Sequence, residues 1–154
     1  MPLTDLVAPQ AILPALKVNN KKQVLQELAA RAAELSGQNE RAILDILSQR
    51  EKLGSTAVGN GVAIPHGKLP KLARLFGLFA RLTRPVNFEA LDGQPVDLVF
   101  LLLAPETAGA DHLKALARVA RLLRDPEMAR RLRDSEDVDA LYAALAMPPA
   151  SSAA

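Results

Sequence analysis

His66 sits between Pro65, which fixes its own φ, and Gly67, which adds no side-chain bulk. Just before it come a glycine-bearing stretch, Gly59-Asn60-Gly61, and a short apolar run, Val62-Ala63-Ile64. That context delivers an imidazole from a strand end to a loop in a preset direction. A neutral imidazole nitrogen is a fair nucleophile near pH 7, so a phosphoryl group can be accepted there without a separate base. Arg50, in the last turn of a helix, could offer a phosphate a planar fork of donors. His112, in the first turn of another helix, lies where free backbone amides stabilise anions. Each also has an unreactive reading: a surface-loop histidine, an arginine set against the helix dipole, and a solvated residue at a helix start. The amides of Gly59, Asn60 and Gly61 could cradle oxyanions, but no P-loop or dinucleotide fingerprint accompanies them, so nucleotide binding is not supported.

The elements around these residues follow from apolar spacing and from caps. Ile12 to Val18 is short and apolar, and Pro14 confines it to an edge strand or an extended lead-in. Asn20 caps a helix with Val24, Leu25, Leu28, Ala29, Ala32 and Leu35 on one stripe, stopped by Gly37. A second helix begins after Asn39, carries Ile43, Leu44, Ile46 and Leu47, and ends between Lys52 and Gly54. Val62 to Ile64, Ala73 to Leu82 and Val96 to Leu103 read as strands, the last apolar enough to be central, with a turn at Asp92-Gly93. Asp111 is expected to cap a helix through Leu123, and Asp125-Pro126 to start a short arginine-rich helix through Arg133. A last helix runs from about Glu136 to Ala146. The whole reads as an α/β fold, a mixed β-sheet sandwiched by helices, over residues 1–147, with 148–154 as a disordered tail.

Composition narrows the chemistry. The 154 residues suit one domain, and a hydrophobic share of 49% against 23% charged supplies a core. With no cysteine, disulfides, thiolate zinc sites and cysteine nucleophiles are all excluded. Two histidines without carboxylates in a ligand motif make a metal site a poor prospect, and none is expected, nor any other cofactor. A net charge of +2 and 3% aromatic residues give neither a strong positive field nor stacking platforms, so no nucleic-acid partner is expected. No stretch reaches transmembrane length and no basic-then-apolar leader opens the chain, so the expectation is a cytoplasmic protein without membrane insertion.

The block Arg50-Glu51-Lys52-Leu53-Gly54-Ser55-Thr56-Ala57-Val58-Gly59-Asn60-Gly61-Val62-Ala63-Ile64-Pro65-His66-Gly67-Lys68 resembles the signature of bacterial phosphotransferase-system enzyme IIA domains of the fructose/mannitol type, most of all their nitrogen-regulatory branch. Asp111-His112-Leu113 is similar to that family's second histidine motif, and Gln94 to Phe100 to its central strand. Ala57 stands where the family often has glycine. The resemblance implies an α/β sandwich in which His66 accepts phosphate from a phosphohistidine on an HPr-like carrier, with Arg50 and His112 converging on the phosphoryl group. It further implies that Ser55, Thr56, Asn60 and Gly61 shape the pocket, and that regulatory or transport proteins respond to the phosphorylation state. A sugar-specific IIA passing phosphate to a IIB domain, and an interaction module that never carries phosphate, are the rival readings.

Overall fold

The computed structural model describes residues 3–148, so the expected tail lies, apart from Pro148, outside the described residues. The order of elements is β1 (Ile12–Leu16), α1 (Lys21–Ser36), α2 (Glu40–Lys52), β2 (Ala57–Gly59), β3 (Val62–Ala63), β4 (His66–Leu69), β5 (Phe76–Val86), β6 (Val96–Pro105), α3 (Ala110–Arg124), α4 (Pro126–Arg133) and α5 (Val138–Ala146). The sheet runs β1-β5-β6-β3-β2, with β4 also paired to β6. It is mixed: β5 lies antiparallel to β6, whereas β1 is parallel to β5, and β3 and β4 are parallel to β6. β6 is apolar along nearly its whole length and buried from Leu98 to Pro105, as a strand covered on both faces must be. β1, with Pro14, is the edge strand that a residue lacking an N–H requires.

The helices start and stop where polar caps place them. Asn20 Oδ1 accepts the Gln23 N–H at 2.9 Å, and Gly37, at φ 75°, closes α1 by donating its N–H to Ala33 O. Asn39 caps α2 through the Ala42 N–H, and the stripe Ile43 and Leu47 buries its inner face. α1 packs on α2, and α2 packs on β4; α3, α4 and α5 pack in sequence.

Several expectations need correction, among them the strand expected over Ala73 to Leu82, which runs as β5 from Phe76 to Val86. His66 does not sit in a loop: it opens β4, paired to Leu102 of β6. Asp111 is not the α3 cap; Gly109, at φ 56°, holds that position and the helix begins at Ala110. Asp111 therefore lies in the first turn, where its charge still suits the helix dipole. α5 begins at Val138, capped by Asp137 through the Ala140 N–H, two residues later than expected. Gly67 is required by close approach, since a Cβ there would overlap Ile46 Cγ2 of α2. The missing side chain lets the helix that carries Arg50 lie directly on the strand that carries His66.

Candidate functional site

The chain changes register between β3 and β4, and the site is built at that change. β3 pairs with the first half of β6 and β4 with its second half. Between them, Pro65 O accepts the Leu102 N–H at 3.0 Å and the Ile64 N–H reaches across to Thr56 O at 3.0 Å. Ile64 O is turned to the His66 ring and lies 2.8 Å from Nδ1. A carbonyl only accepts, so Nδ1 carries the proton and Nε2 keeps the lone pair.

His66 is half-buried in a cleft of about 310 Å³. Arg50, Ser55 and Thr56 line it on one side, and Leu116 and Ala120 of α3 form an apolar wall. Arg50 stands in the last turn of α2 and donates Nη1–H to Gly54 O at 2.9 Å, which leaves most of its fork for another acceptor. His112 meets His66 edge-to-face, with ring centroids 5.7 Å apart and planes at 74°. It is only 6% exposed, so it is not the solvated residue of its unreactive reading, and its Nε2 is buried without a hydrogen-bond partner. A buried ring nitrogen in that condition is costly unless an acceptor or donor arrives.

Burial lowers the His66 pKa below the ordinary imidazole value of 6.5, and the Arg50 charge adds to that, against the Ile64 bond and the Glu51 carboxylate, which raise it. His112 is lowered as well, by burial, by His66 and by Lys68. Both rings are therefore neutral at pH 7. The unfolded chain binds more protons than the folded one between the lowered values and 6.5, so stability should hold above 6.5 and fall as the pH drops through that window. Thermal unfolding across the pH series checks this; a midpoint indifferent to pH below 6.5 would show that these rings are well solvated.

The supporting residues divide into two places. Ser55 donates Oγ–H to Phe88 O at 2.5 Å and accepts the Ala57 N–H, which pins the loop after α2. Thr56, 3% exposed, gives both its N–H and its hydroxyl to the Glu51 carboxylate. Asn60 and Gly61 are elsewhere: they form the tight β2–β3 turn and line a separate hollow with Asp92, Asp97 and Arg133. Gly59, Asn60 and Gly61 all have positive φ there. The Asn60 N–H is taken by Asp92 Oδ2 at 3.1 Å, and its carbonyl by Arg133 Nη2 at 2.8 Å. The structure does not bring this turn into the His66 cleft.

Sequence reasoning passed over Glu51, although an acidic residue in the last turn of a helix opposes the dipole and needs a reason to be there. It also passed over the α3 wall. Among the described residues, no group of three His, Cys, Asp or Glu is arranged to hold a metal ion, and no helix is long and apolar enough to cross a membrane.

The family described as the phosphoenolpyruvate-dependent sugar phosphotransferase system, EIIA 2, matches residues 5–147. A nitrogen regulatory protein of Bradyrhizobium diazoefficiens is 75% identical over 153 residues, covering 99% of this chain and 100% of that relative. The crystal structure of nitrogen regulatory protein IIA-Ntr from Neisseria meningitidis is similar with a TM-score of 0.88 at 33% identity, over 93% of this chain and 98% of that one. IIA mannitol of Escherichia coli, in its complex with phosphorylated IIB mannitol, shares the fold at a TM-score of 0.77 and 20% identity, over 92% and 99% of the two chains.

Proposed function

The chain belongs to the EIIA 2 family of the phosphoenolpyruvate-dependent sugar phosphotransferase system, and from that membership we propose that it is a nitrogen-regulatory phosphoryl carrier whose acceptor atom is Nε2 of His66. The observation that carries this reading is the 2.8 Å bond from Nδ1 to Ile64 O, which leaves the Nε2 lone pair facing a cleft shared with Arg50.

The donor is a phosphohistidine on an HPr-like carrier. Its N–P bond breaks as the Nε2 lone pair forms the new one, and the electron pair of the broken bond returns to the donor imidazole. No proton leaves His66, because the proton already sits on Nδ1. The phosphorylated ring is formally cationic, and Ile64 O stabilises that charge through the Nδ1–H. In onward transfer the same ring departs as a neutral imidazole, a good leaving group. The transition state is loose, with charge spread over the equatorial oxygens, so positioning and donors on those oxygens supply most of the catalysis. Arg50 has N–H groups for one oxygen, and the unpartnered Nε2 of His112, as its N–H tautomer, has a donor for another.

The bound phosphate adds a charge of about −1.5 to −2 at a half-buried cleft. Partners that tolerate the uncharged surface would then differ from those that tolerate the charged one, which supports regulation of cytoplasmic regulatory or transport proteins. Ser55 and Thr56 keep a supporting role through the loop they hold. Asn60 and Gly61 support the pocket only by setting where β3 begins.

Incubation with phosphoenolpyruvate, enzyme I and an HPr-type donor is expected to add one acid-labile phosphate, which heteronuclear NMR places on Nε2 of His66. Transfer onward to a IIB protein would assign the chain to a sugar route, and failure to take up phosphate would leave the interaction-module reading.

A further inference from the structure

Glu51 lies in the last turn of α2, one residue beyond Arg50, and its side chain is only 6% exposed. A carboxylate at that depth and at the wrong end of a helix dipole persists only if its oxygens are engaged. They are. Oε1 accepts the Thr56 N–H at 3.1 Å and lies 2.8 Å from Lys21 Nζ, and Oε2 accepts the Thr56 hydroxyl. Lys21 is the first residue of α1; its ammonium also sits 5.0 Å above the Phe88 ring and 3.5 Å from Glu89.

What Thr56 does next gives Glu51 its reach. Thr56 O accepts the Ile64 N–H at 3.0 Å, and Ile64 O accepts the His66 Nδ1–H at 2.8 Å. Three hydrogen-bonded steps thus connect the Glu51 carboxylate to the ring, each made on a backbone group of the intermediate residue. On the other flank, Arg50 Nη1 holds Gly54 O, so the turn from 50 to 56 is clasped at both ends by consecutive residues of one helix. Displacing the Thr56 peptide would displace Ile64, and with it the carbonyl that fixes which nitrogen of His66 is protonated.

We propose that Glu51, with Lys21 as its counter-ion, is a positioning residue that sets the tautomer and orientation of His66 through Thr56 and Ile64. This rests on the reading of His66 as phosphoryl acceptor, but its structural content does not require a donor protein to be tested. The charged or titratable groups acting on His66 are Arg50 and Glu51 from α2 and His112 from α3. Glu51 raises the basicity of His66, so the carboxylate also favours the cationic ring formed on phosphorylation.

The test is heteronuclear NMR of the two histidines in the unphosphorylated protein, followed by the transfer assay. In Glu51→Gln the His66 midpoint should fall, and its nitrogen shifts should move from a single Nδ1–H tautomer toward a mixture. Transfer should slow on the order of 10-fold, as expected for a displaced nucleophile. In Lys21→Met the carboxylate loses its counter-ion, and the His66 midpoint should move the opposite way. Glu51→Asp keeps the charge and should restore the midpoint further than the tautomer. A wild-type tautomer and midpoint in Glu51→Gln would overturn the proposal, and if that variant does not fold, Glu51→Asp decides the matter, since it keeps the charge while drawing the carboxylate back from Thr56: a wild-type tautomer there would overturn the proposal as well. Absence of phosphate uptake by the unsubstituted protein would overturn the carrier reading instead, with the tautomer result standing on its own.

Discussion

His66→Gln will fold and will take up no phosphate from the donor chain. The fold should survive because residue 66 contributes to β4 through its backbone, paired with Leu102, while its side chain is only half-buried. Uptake should vanish because an amide has no nitrogen lone pair free to attack phosphorus, its nitrogen being conjugated with the carbonyl. The other histidine is no substitute: His112 is 6% exposed and held against the His66 ring, with no room for an incoming donor protein. Intact-mass measurement after incubation with phosphoenolpyruvate, enzyme I and an HPr-type donor reads the result directly. Normal uptake by a folded variant would place the acceptor elsewhere and end the present account of the cleft.

Arg50→Ala should slow transfer by about 10²- to 10³-fold, the cost of removing one preorganised donor from developing negative charge, equivalent to roughly 3–4 kcal/mol of transition-state stabilisation. The expected stability change is far smaller. The variant gives up one bond to Gly54 O and a favourable charge in the last turn of α2, together about 1–2 kcal/mol. Removing Arg50 also removes one of the influences that lower the His66 pKa, so the acceptor becomes more basic while it becomes slower. That opposition separates loss of a donor from a general loss of His66 reactivity. Arg50→Lys should recover only part of the rate, since an ammonium is a point charge without a planar fork. An unaltered single-turnover rate in Arg50→Ala would take Arg50 out of the mechanism.

Long, strongly patterned elements were legible from the residues alone. The apolar run from Val96 to Leu103 could be little else than a central strand, and β6 is central; Asn20 and Gly37 bracket α1 with a cap and a stop whose physics is local. β2 and β4 were not legible. Three residues ending in Gly59, and His66-Gly67-Lys68-Leu69, carry no period that distinguishes a strand from a loop, and they become strands because β3 and β6 offer partners. The same distinction runs through the site. His66 and Arg50 stood out because their types and flanking residues carry their chemistry with them. The amides around Asn60 and Gly61 were a weaker signal for an anion, and in the fold Asp92, distant in sequence, takes the Asn60 N–H. His112 in a first helical turn would ordinarily be wet, and only the packing of α3 against β2 and β6, which sets it against the His66 ring, buries it. Glu51 carries nothing in its flanking residues that sets it apart, because its partners Lys21 and Thr56 come to it only in the fold.

The hand-over from β3 to β4 leaves the Ile64 carbonyl outside the ladder, and that oxygen accepts the Nδ1–H of His66. In the proposed carrier, phosphate would come and go at Nε2 while Nδ1 keeps its hydrogen on Ile64 O. A swap that moves phosphorus but no hydrogen needs no acid, no base and no water wire, and so it can run in either direction with the same furniture in place. A single uninterrupted strand through residues 62–69 would have spent Ile64 O on its neighbour, and the ring would have been free to choose the wrong face.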